Sequence, residues 1–279
     1  MQQDFRIKNR IQTINTIGKI SRALQLVATA KLKKASKRIQ EIRPYSEEMY
    51  DVFHHIISNT NDSIYLQKDD GSHFRTAVWI IINSNIGLCA GYNYNIHKLV
   101  IPEIKKSDLL IVIGAKGISY YQNRGYNVIN SYSNLDLNFE YHQAQEIGFQ
   151  VLSMFNNKEI ERIKLVYTKF INNILFQPTT LQLLPIAKIN TQQNSLFEFE
   201  PDAQTVLETT ILLYLNTIIY SAISESQVSE QASRRLAMEN ATNNANELKD
   251  NLTLQYNRSR QAKITQEIAE IIAAADSTN

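Results

Sequence analysis

Three groups of residues are of types that could do chemistry, and each lacks the companions that chemistry needs. Gly114-Ala115-Lys116-Gly117 follows an apolar run, at the place where a phosphate loop would sit. Such a loop needs a longer glycine spacing to turn its backbone N–H groups onto phosphate, and a Ser or Thr after its Lys; both are missing. Cys89 is the only thiol in the chain. A nucleophilic thiol needs a base beside it, no companion His is suggested, and a small packed side chain is the expectation. His54 and His55 are adjacent, so on a helix their rings point apart, which suits a solvated face better than a metal site. No catalytic, cofactor-binding or metal-binding residue is expected.

The chain has 279 residues and a net charge of only +2, which argues against a protein basic throughout. One cysteine permits no intramolecular disulfide, and a reducing compartment fits that. The first residues, MQQDFRIKNR, have no apolar stretch of the signal-peptide kind. No window approaches 18 uninterrupted apolar residues, so no membrane span is expected.

The patterning divides the chain into three zones: 1–57, 76–190 and 201–276. The first reads as one long helix, with Pro44 expected to kink or interrupt it. One face carries Ile7, Ile11, Ile14, Ile17, Ile20, Leu24 and Val27, the spacing of a coiled-coil seam. From Asp4 to Arg43, eleven Lys or Arg stand against two acids, a local charge of +9.

The middle zone holds six of the eight glycines. AVWIII (77–82) and LLIVIG (109–114) read as buried strands, each followed by a helix (92–106 and 115–124); 161–170 and 179–186 read as two more strands. That alternation predicts a small α/β, Rossmann-like domain with parallel strands. Residues 59–74 are polar and read as a loop.

The last zone has neither Gly nor Pro after Pro201, which with Asp202 makes a helix start. A helix of that size is roughly 110 Å long at about 1.5 Å per residue. Its seam reads Arg234, Met238, Ala241, Ala245, Leu248 and Leu252. The two seams fit as an antiparallel coiled coil, with Ile7 opposite Leu252, Ile14 opposite Ala245 and Leu24 opposite Arg234; a register one heptad away is also open. In the preferred register Ile264, Ile268, Ile271 and Ile272 lie on an unpaired tip that needs another protein to bury it.

Three separated blocks, in order, resemble the gamma subunits of F-type ATP synthases: RIQTINTIGKISRALQLVATAKLKKA with RPYSEEM; GLCAGYN with LVYTKFINNILFQPTTLQLLPI; and SEQASRRLAMENATNNANELKDNLTLQYNRSRQAKITQEIAEI. The resemblance implies a central rotor shaft turning inside a ring of alpha and beta nucleotide-binding subunits. Each angle of an asymmetric shaft favours a different nucleotide state, a coupling by differential contact that needs no catalytic residue in the shaft. By the same resemblance Lys19, Arg22, Lys31, Lys33 and Lys34 meet acidic loops of the catalytic subunits, and Leu24 stands where relatives usually have Met. A polar catch with the ring maps onto Arg234, Arg260, Gln261, Thr265 and Glu267. The loop Gly87, Leu88, Cys89, Gly91 is expected toward a membrane-facing foot, where Asn85 and Ile86 replace the usual acid-base pair. An epsilon subunit and a membrane rotor ring are further expected partners; no cofactor and no nucleic acid are expected. The implied location is the cytoplasmic face of the cell membrane, as a peripheral subunit. The alternatives are a rotor not coupled to proton-driven synthesis, a nucleic-acid-binding coiled coil, or a static adaptor.

Overall fold

The computed structural model describes residues 2–60, 63–67, 76–133, 139–187 and 199–276, with backbone alone at 2–4 and 273–276. The elements are α1 (Gln2–Ser58), β1 (Ala77–Ile82), α2 (Tyr92–Val100), β2 (Leu109–Ile113), α3 (Ala115–Gln122), β3 (Asn127–Tyr132), α4 (Tyr141–Asn156), β4 (Arg162–Phe170), β5 (Phe176–Leu184) and α5 (Ala203–Asp276). Residues 29–234 form one compact unit; residues 1–28 with 235–279 form the other.

The larger unit is built on a five-stranded sheet ordered β3-β2-β1-β4-β5. The pairs β1–β2, β1–β4 and β2–β3 are parallel, and β5 runs antiparallel to β4. All six residues of β1 are buried because both faces are covered. Val78, Ile80 and Ile82 point to a core shared with Phe53 and Ile57 of α1, Ile147 and Val151 of α4, and Leu207, Ile211, Leu215 and Ile219 of α5. Ala77, Trp79 and Ile81 point to the opposite core, with Ile96 and Val100 of α2 and Tyr121 of α3. This α/β sheet between long helices is the fold class expected. The α5 helix contains an 18-residue window with mean hydropathy 1.5, half of it buried within the protein.

Several boundaries differ from expectation. The α2 helix stops at Val100, short of 106, because Pro102 has no N–H for the next turn. Pro44 lies inside α1 without interrupting it. The strand β3 and helix α4 carry no strong signal: β3 is a polar edge strand, and α4 has Gly148 in its middle, where a side chain would collide with Asn216 of α5. Glu140 and Gln143 form a reciprocal capping box at the start of α4. At the start of α5, Thr205 donates its backbone N–H and its hydroxyl to the Asp202 carboxylate, at 2.8 and 2.9 Å. Of the expected loop 59–74, residues 61–62 and 68–74 lie outside the described residues; within it Leu66 bridges to Ile186.

In the smaller unit the helices face each other through a different seam. Ile7, Ile11, Ile14, Gly18, Ser21, Gln25 and Ala28 are the buried or half-buried ladder of the first helix. The second helix answers with Arg235, Met238, Thr242, Ala245, Lys249, Leu252, Tyr256 and Ser259. Ile17, Ile20 and Val27 are about half exposed instead, as is Leu248, and Ala241 is only half-buried. The reason is geometric: successive three-residue steps from Ile14 to Ile20 swing the face by about 120°, whereas alternating steps of four and three hold it on the partner. The register also moves. A Cβ added to Gly18 would lie 3.4 Å from the Ala245 Cβ, so Gly18, not Ile14, stands level with Ala245, a shift of about one turn. Ile11, Ile14, Ala245 and Leu252 cluster beside it.

Candidate partner-contact site

The loop after β1 is held by several side-chain hydrogen bonds. Ser84 Oγ donates to the Ile86 carbonyl at 2.8 Å and accepts from Asn93 Nδ2 at 2.7 Å. Leu88 and Ala90 both adopt left-handed backbone, at φ of 61° and 48°, which costs a side-chain-bearing residue roughly 1–2 kcal/mol. Two residues of α5 hold them there. Ser233 Oγ donates to the Cys89 carbonyl at 2.7 Å, and Arg234 Nη2 donates to the Ile86 carbonyl at 2.9 Å while pairing with Glu230 at 2.7 Å. The loop thereby presents Ile86 and Leu88 outward, each 61% exposed.

This brings together residues that were expected apart. Arg234, assigned to the ring-facing catch, binds the backbone of Ile86 and Gly87, part of the loop assigned to the foot. Of the catch residues Arg234 lies at this loop, while Arg260, Gln261, Thr265 and Glu267 belong to the smaller unit. The Asn85 departure also acquires a role: its Oδ1 accepts the Ala115 N–H at 3.1 Å, capping α3 without the charge an acid would bring.

Gly114-Ala115-Lys116-Gly117 is a packing device. Gly114 has φ of 100°, and a Cβ there would meet the Asn83 carbonyl at 2.2 Å; one on Gly117 would meet the Asn83 side chain. The Ala115 and Lys116 N–H groups that a phosphate would use are taken by Asn85 and by the Ser84 carbonyl. Cys89 is buried, and burial pushes its thiol up, away from the thiolate form. Among the described residues no cluster of His, Cys, Asp or Glu is arranged to hold a metal. A groove of about 920 Å³ between α1, β4, β5 and α5 carries Glu47, Asp51 and Glu225 against Arg43 and Lys169, a poor balance for phosphate. There Arg43 pairs with Glu225 at 2.9 Å.

The remaining site residues are dispersed. In the smaller unit Lys19 and Arg22 are exposed, and Leu24 is half-buried. Arg260, Gln261, Thr265 and Glu267 are exposed on the second helix, with the Thr265 hydroxyl donating back to the Gln261 carbonyl at 3.0 Å. Ile264, Ile268, Ile271 and Ile272 are all exposed there. In the larger unit Lys33 and Lys34 are exposed and Lys31 is half-buried. The apolar residues Ile17, Ile20 and Val27 were missed as surface residues, although the broken step between Ile14 and Ile17 was a signal of it.

The chain combines a five-stranded α/β sheet in the larger unit with two helices of 57 and 74 residues, whose ends pair through small residues in the smaller unit. The family model described as ATP synthase matches residues 5–277. The chain is 48% identical over 272 residues to the ATP synthase gamma chain of Mesoplasma florum, covering 97% of this chain and 96% of that one. It is 45% identical to the ATP synthase gamma chain of Mycoplasma capricolum, covering 97% of each. In fold it is similar to a chain of the Euglena gracilis mitochondrial ATP synthase, solved as OSCP/F1/c-ring in rotational state 3, with TM-score 0.75, 16% identity, and coverage of 99% and 95%. The chain belongs to the ATP synthase gamma-chain family. It is the central-stalk rotor subunit of an F-type, membrane-associated ATP synthase complex.

Proposed function

We propose that the chain is a non-catalytic shaft whose outward face, rather than any site of its own, conveys rotation to and from alpha and beta nucleotide-binding subunits on the cytoplasmic side of the membrane. The observation that carries this is the inverted packing of the smaller unit. Gly18, Ser21 and Ala28 face the partner helix, while Ile17, Ile20 and Val27 face outward. A free two-helix protein gains most by the opposite arrangement, since burial is worth about 25 cal/mol per Å² of apolar surface. Large apolar residues outside and small ones inside give a narrow shaft with a greasy outer stripe, and Lys19 and Arg22 beside it add charge for acidic partners. Arg260, Gln261, Thr265 and Glu267 extend the same contact surface along the second helix.

Contacts of this kind act on turnover only if their strength varies with angle: one made equally at every orientation stabilises assembly and leaves the barriers between orientations unchanged. The test is ATPase activity of the chain alone and of the assembly reconstituted with alpha and beta subunits. The chain alone is expected to turn over no ATP. Arg260→Ala and Gln261→Ala assemblies should keep their composition by gel filtration and lose about one decade of rate, from polar contacts worth about 1–2 kcal/mol. Turnover by the chain alone at a rate comparable to the complex contradicts the reading.

A further inference from the structure

Open α/β sheets bind their ligands in the crevice at the carboxyl ends of the strands, where the strand order reverses. With the order β3-β2-β1-β4-β5 that point lies between β1 and β4. Here it is filled by the chain's own α5. The β1–β4 ladder is last paired at Ile81 with Val166. Beyond it, at Thr168, serines of α5 take the place of a strand: the Thr168 N–H donates to Ser226 Oγ at 3.1 Å, and Ser229 Oγ donates to the Thr168 carbonyl at 3.0 Å. One turn on, Ser233 Oγ donates to the Cys89 carbonyl in the loop that follows β1. Tyr92, at the start of α2, donates its hydroxyl to the Ser226 carbonyl at 3.3 Å. Ser226, Ser229 and Ser233 are spaced three and four apart, so they form one stripe, and all are buried.

Apolar packing alone grips a helix poorly against twisting about its own axis, because a ridge can slip to the next groove at modest cost. Hydrogen bonds are directional and lose most of their strength when donor and acceptor are misaligned. Three hydroxyls on one stripe, bonded to β4 and to the β1 loop, therefore fix the angle of α5 about its axis. The α5 helix is unbroken from Ala203 to Asp276.

We infer that the ligand crevice of this α/β domain serves as a torsional socket for α5, with Ser226, Ser229 and Ser233 as positioning residues that make the domain and the helix turn together. This rests on the rotor reading. It assigns the domain a mechanical role: to clamp the shaft at a defined angle so that rotation is delivered without slip.

The test uses the full assembly with its alpha and beta ring fixed to a surface and a bead attached through a cysteine introduced at exposed Phe149, in a Cys89→Ser background. In the parent the bead rotates in ATP; a bead that stays still while ATP is consumed overturns the rotor reading itself. With Ser226, Ser229 and Ser233 all changed to Ala, three hydrogen bonds are lost, and the angular spread of the bead within each dwell should widen about twofold or more while ATPase rate per complex changes little. Should that variant fail to assemble, Ser233→Ala with Tyr92→Phe removes two of the bonds without adding volume and should widen the spread in the same sense. Spread equal to the parent's in a rotating variant assembly overturns the socket and leaves the rotor reading standing.

Discussion

Gly18 and Ala245 face each other across the two helices of the smaller unit: a methyl group added to Gly18 would touch the Ala245 methyl at 3.4 Å. That contact sets the register, since partners whose numbers total 263 also bring Ile11 to Leu252 and Ser21 to Thr242, all buried or half-buried. In a Cys89→Ser background, Gly18→Cys with Ala245→Cys should form an intrachain disulfide readily, because the Cβ separation falls near the usual range of about 3.5–4.5 Å. Non-reducing electrophoresis reads it. More efficient linking of Ile14→Cys with Ala245→Cys would place the helices in the register first read from the sequence. Gly18→Leu should overpack the seam and cost about 1–3 kcal/mol of stability.

The outward stripe makes an opposite prediction. Ile17→Lys and Ile20→Lys should change the stability of the isolated chain by no more than about 0.5 kcal/mol, because the side chains already meet solvent. Assembly with the ring, or turnover once assembled, should fall sharply. Leu24→Lys belongs to the same series, with coupling impaired more than assembly. Thermal unfolding of the chain and gel filtration of the complex separate the two effects; equal losses in both would mean that the stripe is part of this chain's own core.

The loop after β1 stores strain that substitution can release. Ala90→Gly should raise stability by about 1 kcal/mol, since glycine adopts φ of 48° without the steric cost of a side chain. Arg234→Ala removes the clamp on the Ile86 and Gly87 carbonyls and its ion pair with Glu230, a loss of about 1.5–3 kcal/mol. Denaturant midpoints at constant slope decide both. An unchanged midpoint for Arg234→Ala would show that Ser233 holds the loop unaided.

His97 gives the larger unit a pH signature. Its ring stacks on Tyr120 and its Nδ1 lies 3.1 Å from the Tyr121 hydroxyl, while burial first and Arg124 second push its pKa down to about 4. The unfolded chain takes up a proton near the ordinary value of about 6.5 and the folded chain does not until about 4. The stability contributed by neutral His97 is thus complete above about 6.5 and is lost as the pH falls toward about 4, in total on the order of 2–3 kcal/mol. His54, also lowered by burial, adds a change of the same sign; Glu225, raised by burial, adds one of opposite sign, losing stability as pH rises above its ordinary range. Chemical unfolding of the parent and of His97→Gln between pH 7 and pH 4 isolates the His97 part, and parallel curves for the two would rule it out.

The sequence carried the long-range plan in its strongest signals. The continuous apolar runs of β1 and β2 are legible because both sheet faces are covered, and the uninterrupted α5 is legible because 201–276 lacks Gly and Pro after Pro201. What it hid depended on partners in space. The difference between Ile17 and Gly18 as seam residue is invisible to a reading that rewards apolar character, since here the small residue is inside and the large one outside. Likewise Ser226, Ser229 and Ser233 look like solvated polar residues until Thr168 and the Cys89 carbonyl are seen beside them. Arg234 was expected in a catch with the ring, and nothing in its sequence neighbourhood pointed to the loop of Ile86 and Gly87, nearly 150 residues earlier.

The most direct test of the shaft account is to tie the rotor to its ring. Ile20→Cys, in a Cys89→Ser background, is assembled with alpha and beta subunits bearing a cysteine on the surface that meets the shaft, and ATPase activity is measured after oxidation and again after reduction. The account predicts that the linked complex stops and that reduction restores the rate. Undiminished turnover in the linked complex would contradict it.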